Sequence, residues 1–318
     1  MKILVAIDSS AASQAVISKV RERRWPEDTV ARILSVVGSV AAYNGVPDCG
    51  PLVNTETISA KALVRSAVDQ LAARGIESHG AVTPGDPRIA IVDYAQQWRP
   101  DFVFIGSHGH SGLTRFLLGS VAKTVLRNAP CSIGILRPSK RDRLANLGMR
   151  LLIATDGSRY SEAAIRSVAE RPWSKGTKIK TVSVISVPEI VTYPLSGLAG
   201  EVELIDRAEK LKKEWAKEAL RTAGKILSSA GMKSEAVELA GDPKTQIIDE
   251  AKKWDADLIV AGARGAGAID RILSGSVSEA VAIHAHCSVE VIHDCARFSE
   301  GESPSESPDQ NLDLYDCG

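Results

Sequence analysis

Two stretches of this chain read almost alike: Lys2-Ile-Leu-Val-Ala-Ile-Asp8-Ser-Ser near the start and Arg150-Leu-Leu-Ile-Ala-Thr-Asp156-Gly-Ser in the middle. Each has a short apolar run followed by an acid, the pattern of a buried strand whose carboxyl end meets a turn. They stand 148 residues apart, and Trp25 with Trp173 and Ser35-Val-Val with Ser183-Val-Ile keep that offset. Further on the offset becomes 156: Gly85-Asp-Pro matches Gly241-Asp-Pro, Trp98 matches Trp254, Gly106-Ser-His-Gly109 matches Gly262-Ala-Arg-Gly265, and Cys131-Ser-Ile matches Cys287-Ser-Val. So many matches in one order read as an internal duplication. One net insertion of eight residues in the second copy, between Ser183 and Gly241, accounts for the change of offset.

Within the first copy strand and helix patterns alternate. Strands are expected at Lys2–Asp8, Arg32–Gly38, Glu77–Thr83, Phe102–Ser107 and Ser132–Leu136, with helices at about Ser10–Arg24, Glu56–Arg74, Arg88–Gln97 and Ser120–Asn128. The second copy repeats this order, with a longer, highly charged helix over Asp206–Ser229. Five strands and four helices in alternation predict an α/β fold with a parallel, doubly wound sheet in each half. The first domain is read at residues 1–137, a charged linker at 138–148, the second domain at 149–293, and an acidic disordered tail at 294–318. That tail is rich in Ser, Pro, Glu and Asp and poor in apolar residues.

The chemistry concentrates after the fourth strand of each copy. There Gly106-x-x-Gly109 is followed after nine residues by Gly119-Ser120, and Gly262-x-x-Gly265 after nine residues by Gly275-Ser276. In an open α/β sheet ligands bind beyond the carboxyl ends of the strands. Glycines at that edge lack Cβ atoms, so the backbone is free to take positive φ and a ligand can come close. A helix opening at Ser120 or Ser276 turns free N–H groups and a positive dipole end toward the same crevice. Its serine hydroxyl adds a donor. Two such clusters suit a chain of phosphates. Asp8 and Asp156 point into the crevice as well, where an acid beside phosphates calls for a divalent cation or a ribose hydroxyl. Arg115 and Arg271 fall at matched places in the nine-residue stretch and suit phosphate charge. Blander readings stand beside these: a glycine-rich turn kept for packing, aspartates that cap the next helix, arginines in surface ion pairs.

These residues resemble the universal stress protein family, whose ATP-binding members have G-x2-G-x9-G-[ST] after the fourth strand. The resemblance covers about residues 1–137 and 149–293. It implies a Rossmann-like fold of the adenine nucleotide alpha hydrolase type, in a tandem arrangement whose halves pair through their last strands, Ser132–Leu136 and Ser288–Ile292, as an internal pseudo-dimer. It also implies ATP with Mg2+ as ligands, Asp8 and Asp156 as metal ligands, and Val36 and Val184 as adenine contacts. The copies depart from one another at His108 and Arg264, both set beside the phosphate positions. The expected function is nucleotide sensing in a stress response with at most slow ATP hydrolysis. An enzyme of adenylate chemistry and a scaffold that binds no nucleotide stay open as alternatives.

Other features limit the choice. The glycine motif lacks the Gly-Lys-[Ser/Thr] ending of a phosphoryl-transfer loop, and no Gly-x-Gly-x-x-Gly follows the first strand. Lys and Arg total 39 and so do Asp and Glu, so no net basic field draws in nucleic acid. Apolar runs such as Leu151–Thr155 and Leu258–Ala263 are too short to span a bilayer. The expected setting is therefore cytoplasmic, with no membrane or nucleic-acid partner, an unidentified regulatory protein partner and a homo-oligomer. The five cysteines, Cys49, Cys131, Cys287, Cys295 and Cys317, match no zinc or redox spacing and are expected to be reduced thiols. His284-Ala-His286-Cys287 reads as structural, because the aligned Asn128-Ala-Pro130-Cys131 has no histidine. The matched tryptophans read as anchors of helix on sheet.

Overall fold

The computed structural model describes residues 1–38, 50–108, 118–138, 148–186, 199–265 and 275–294, with side chains described there except at 50–53 and 199–206. Residues 139–147 of the expected linker, 295–318 of the expected tail, and Cys49, Cys295 and Cys317 lie outside that description. The first half runs β1 (Lys2–Ile7), α1 (Ala11–Glu22), β2 (Val30–Val37), α2 (Gly50–Ala72), β3 (Glu77–Pro84), α3 (Pro87–Trp98), β4 (Phe102–Gly106), α4 (Ser120–Asn128) and β5 (Ser132–Leu136). The second runs β6 (Arg150–Ala154), α5 (Arg159–Ala169), β7 (Lys178–Ile185), α6 (Ala199–Ser229), β8 (Ser234–Ala240), α7 (Pro243–Lys253), β9 (Leu258–Gly262), α8 (Ser276–His284) and β10 (Ser288–Ile292). The expected alternation is present in both. Helix α2 starts six residues earlier than the sequence pattern suggests, at Gly50, with Pro51 in the first turn, where a missing N–H costs nothing. Helix α6 has 31 residues against 23 in α2, so the eight-residue insertion is lengthened helix.

All ten strands form one sheet in the order β3-β2-β1-β4-β5-β10-β9-β6-β7-β8. Every neighbouring pair is parallel except β5 with β10, which is antiparallel. Alternation along each strand sends side chains to opposite faces. Ile3, Val5 and Ile7 join a core with α1, α2, α5 and α6 residues such as Val16, Val64, Ile165 and Leu227. Leu4 and Ala6 join a second core with Ile91, Val125, Ile247 and Val281 from α3, α4, α7 and α8. Each core runs across both halves, as a doubly wound sheet with helices on both faces requires. The four matched tryptophans pack against the cores as anchors. Trp25 and Trp173 donate from the indole N–H to the carbonyls of Val20 and Val168, at 2.8 Å in each half. Arg32 lies 4.8 Å over the Trp98 ring and the aligned Lys180 5.1 Å over Trp254. Among the described residues, no helix is long and apolar enough to cross a membrane.

The β5–β10 junction is where the copies stop being alike. Glu290 on β10 stands opposite Gly134 on β5, and the two are aligned positions of the repeat. Glu290 is 0% exposed. Arg23, from the first half, reaches its carboxylate at 2.5 Å, and the aligned Arg171, from the second half, at 2.8 Å. Both guanidiniums stack on the Trp173 ring, at 4.9 and 5.1 Å. A Cβ at Gly134 would fall 2.2 Å from the Phe104 ring, so that ring fills the space opposite the glutamate. A second bond set crosses the junction: the buried Arg137 guanidinium donates to the carbonyls of Ala282, Ile283 and Cys287, where α8 ends and its connection to β10 begins. There it satisfies carbonyls that an α-helix leaves without partners. Cys131 and Cys287 are buried and form no disulfide, and burial pushes the Cys287 thiol up to about 12.

Burial alone would raise the Glu290 carboxyl, but Arg171 and Arg23 outweigh it and hold the group at about 2, against an ordinary 4.5. A depressed carboxyl contributes stability above its unfolded pKa and loses it as pH falls toward the folded one. The contribution of Glu290 is therefore full above about pH 4.5 and drains away toward pH 2. Glu290→Gln leaves two arginines buried without their counter-charge, a change that costs about 3–5 kcal/mol in comparable buried pairs. Urea unfolding at neutral pH is the measurement. A loss below about 1 kcal/mol, the range of an exposed pair, would contradict the assigned role.

Candidate functional site

Strand order reverses between β1 and β4 in the first half and between β6 and β9 in the second. At a reversal the flanking connections leave on opposite faces and open a crevice at the carboxyl edge. A cavity of about 260 Å³ lies at the first reversal, and its lining includes Asp8, Val36, Gly106, His108, Gly119 and Ser120. One of about 390 Å³ lies at the second, with Asp156, Val184, Gly262, Arg264, Gly265, Gly275 and Ser276 in its lining. The structure thus brings together every candidate site residue it describes. Gly109, Arg115 and Arg271 lie outside the described residues.

The helix N-termini differ in a way that bears on the cavities. Helices α1, α3, α5 and α7 are capped by the side chains of Ser10, Asp86, Ser158 and Asp242. Helices α4 and α8 have Gly119 and Gly275 at the cap, with no side-chain bond. The first intrahelical closures run from Lys123 N–H to Gly119 and from Glu279 N–H to Gly275. The preceding N–H groups, of Ser120, Val121 and Ala122 and of Ser276, Val277 and Ser278, have no partner within an α-helix. Those six residues line the two cavities. Ser120 and Ser276 are exposed there.

Two sequence expectations need correction. The described cradle glycines do not take positive φ: Gly119 and Gly275 sit at −62° and −78°, and the positive-φ glycines among the described residues are elsewhere. Crowding is what demands them. A Cβ at Gly262 would lie 2.6 Å from the Tyr160 carbonyl carbon and 2.8 Å from Ser161 N, inside the first turn of α5. At Gly106 it would meet the Ala12 methyl at 3.0 Å, and at Gly275 the Ala263 carbonyl oxygen at 3.1 Å. The packing reading therefore holds for the first glycine of each motif. Left-handed φ is used instead at Gly85 and Gly241, +141° and +130°, where β3 and β8 turn into α3 and α7.

The aspartates do not cap α1 and α5, because Ser10 and Ser158 do. Asp8 instead holds its cap serine: its Oδ1 accepts from the Ser10 N–H at 3.0 Å, from the Ser10 hydroxyl, and from the Ser13 hydroxyl at 2.7 Å. Asp156 accepts from the Ser158 N–H and hydroxyl at 3.0 and 2.6 Å. A Cβ at Gly265 would sit 2.8 Å from Asp156 Oδ2, so that glycine gives the carboxylate its place. His108 is half-buried, with Nδ1 3.0 Å from the Ser107 hydroxyl and Nε2 buried without a partner among the described residues. Burial, with Arg137 nearby, holds its imidazole below the ordinary histidine range. Arg264 donates to the Tyr160 hydroxyl at 3.2 Å.

Sequence reading missed the apolar walls. Leu34, Pro87, Ile91 and Ile105 line the first cavity, and Val182, Pro243, Ile247 and Ala261 the second. The repeated Gly-Asp-Pro could have pointed there, since its proline opens the wall helix. Among the described residues, no group of three or more His, Cys, Asp or Glu could hold a metal ion.

Comparison with known proteins agrees with this architecture. The sequence model of the universal stress protein family matches residues 1–137 and 149–293. A universal stress protein of Methanocaldococcus jannaschii is 35% identical over 147 residues, spanning 46% of this chain and 83% of its own length. One of Mycobacterium tuberculosis is 29% identical over 188 residues, 58% of this chain and 59% of its own. The crystal structure of a universal stress protein from Archaeoglobus fulgidus matches with a TM-score of 0.62 at 19% identity, over 92% of this chain and 96% of that one, a likeness of fold. The chain belongs to the universal stress protein family, and its two halves are two such repeats in tandem.

The glycine geometry gives a graded outcome. Gly262→Ala forces helix backbone apart and should cost about 1–3 kcal/mol of stability, as overpacking does. Gly106→Ala meets only a methyl and should cost less. Chemical denaturation of the two variants checks this; equal losses would contradict the packing role.

Proposed function

We propose that the protein is an ATP-binding regulator that senses nucleotide in a stress response, with one ATP site in each half and at most slow hydrolysis. The observation behind this reading is the coincidence, twice in one chain, of an uncapped helix N-terminus with an apolar slot at a strand-order reversal. The N–H groups at Ser120–Ala122 and Ser276–Ser278 suit phosphate oxygens. Val36 and Val184, with the neighbouring leucine, isoleucine and proline walls, suit a flat heterocycle. Placed in one cavity, the two surfaces describe a nucleotide rather than a free phosphate.

The donor set also fits Mg2+. Asp8 uses Oδ1 for its serines and keeps Oδ2 for a cation. Magnesium is ordinarily held by one or two carboxylates plus phosphate oxygens and water, where it neutralises phosphate charge. Asp156 stands at the matching place in the second half, where it lines the second cavity. No lysine is among the described residues lining either cavity, which supports retention over phosphoryl transfer. Occupied and empty states would then differ in the surface that α4 and α8 present to a partner protein, which would make the chain a sensor.

Nucleotide carried through purification, counted per chain, tests the reading. Wild type should retain ATP, and the double variant Gly119→Val, Gly275→Val should lose it while still melting cooperatively. Retention by the double variant would refute the cradle. ATP with Mg2+ should persist for hours on the wild-type protein, and multiple turnovers within seconds would refute the sensing role.

A further inference from the structure

The two cavities match along their walls and differ at their floors. Val36, Pro87 and Ile91 of the first are repeated as Val184, Pro243 and Ile247 of the second. The first floor is a row across the sheet: Leu34 on β2 beside Ala6 on β1, and Ala6 beside Ile105 on β4. Leu34 and Val36 are two apart on β2 and so share a face, with Leu34 the deeper, farther from the carboxyl edge. In the second half the aligned row is Val182, Ala154 and Ala261. Val182 pairs with Ala154, and Ala261 follows Val260, the partner of Ile153. All six residues are buried and line their cavities.

Valine has one carbon fewer than leucine, and alanine three fewer than isoleucine. The second floor therefore recedes while the walls above it stay as they are. The cavity volumes agree, about 260 Å³ in the first half and about 390 Å³ in the second. Other exchanges in the lining do not make up the loss. Ser278 stands where the first half has Ala122, but its hydroxyl is turned to the carbonyls of Ala263 and Gly275 at the opening of α8. Thr155 stands where the first half has Ile7, and its hydroxyl lies 3.1 Å from that of Ser161. Both lie toward the phosphate end, away from the floor.

We infer that the two sites divide by the size of the base: the second admits adenine nucleotides whose purine carries an added apolar group on its six-membered ring, the first turns them away, and Ala261 with Val182 sets the difference. This deepens the nucleotide reading above and rests on it. With phosphates at the helix N-terminus and ribose on N9, the six-membered ring is the part of the purine that leads into the slot. Its N6 and C2 positions are then the ones that meet the floor. At the first floor an added group collides with Ile105 and Leu34, and a closely packed core yields little to such a collision. At the second floor the same group enters the space left by the four missing carbons and is removed from water there. A slot that tells one methylene from none discriminates by about 10–200-fold.

The experiment isolates each site and reads a ratio. Full-length protein with Gly119→Val leaves the second site, and with Gly275→Val the first. Each is titrated with ATP and with two analogues, one with an ethyl group on N6 and one with a methylthio group on C2, and the better analogue gives an analogue:ATP affinity ratio. The second site should show a ratio roughly tenfold or more above the first. Ala261→Ile should bring it down to that of the first site, and Val182→Leu should lower it part way. Ile105→Ala should raise the ratio of the first site, which keeps the test decisive if a second-site variant folds poorly. Equal ratios at the two sites, or a second-site ratio that ignores Ala261→Ile, would overturn this inference and leave the nucleotide reading standing. No binding of ATP or of either analogue by the wild-type protein would overturn both.

Discussion

One buried carboxylate and two arginines decide how this molecule is assembled. Glu290 sits on the antiparallel seam between β5 and β10, with one arginine from each repeat. A charge in that desolvated place is tolerable only when it is paired, here from both sides at once. Two identical copies could not arrange this, because two glutamates or two glycines would face each other across the seam. The duplicated halves have diverged at this point: Gly134 makes room for Phe104, and Glu290 takes both charges. The seam joins two five-stranded halves into one sheet and lets both apolar cores run through. Arg137 crosses it to hold the end of α8, the helix whose other end opens the second cavity. The structural consequences of the seam thus reach the candidate site.

The fold was legible because its signals are periodic and stated twice. The bounds of α4 and β5 were read to the residue, and the eight-residue insertion reappears as added length in α6. The start of α2 was not, since Gly50-Pro51 reads as a turn unless the helix already exists to accept a proline in its first turn. Cross-seam register was beyond reach as well. Nothing in either copy says that position 134 will face position 290, so the pairing of Glu290 with Arg23 and Arg171 appears only in three dimensions.

The site was legible in its residues and less so in the reasons for them. The described motif glycines and the aspartates do converge on two cavities, but Gly106 and Gly262 are fixed by the approach of α1 and α5. Sequence patterns report that a side chain is absent without saying what fills the space. The aspartates likewise act one step back from the helix, through the cap serines. The apolar walls were invisible because Leu34, Ile91, Val182 and Ile247 look like any core residue of a strand or helix. The cluster around Tyr160 was half visible: the exchange of His108 for Arg264 could be read from the repeat, whereas its link to Tyr160 needed the geometry.

In the proposed reading each half holds one nucleotide between a helix N-terminus and an apolar slot. A crystal structure of the protein grown with millimolar ATP and magnesium is the decisive measurement. Phosphates are expected against the N–H groups that open α4 and α8, with adenine beside Val36 and Val184. Adenine nucleotide bound elsewhere, or two cavities holding only solvent at that concentration, would contradict it.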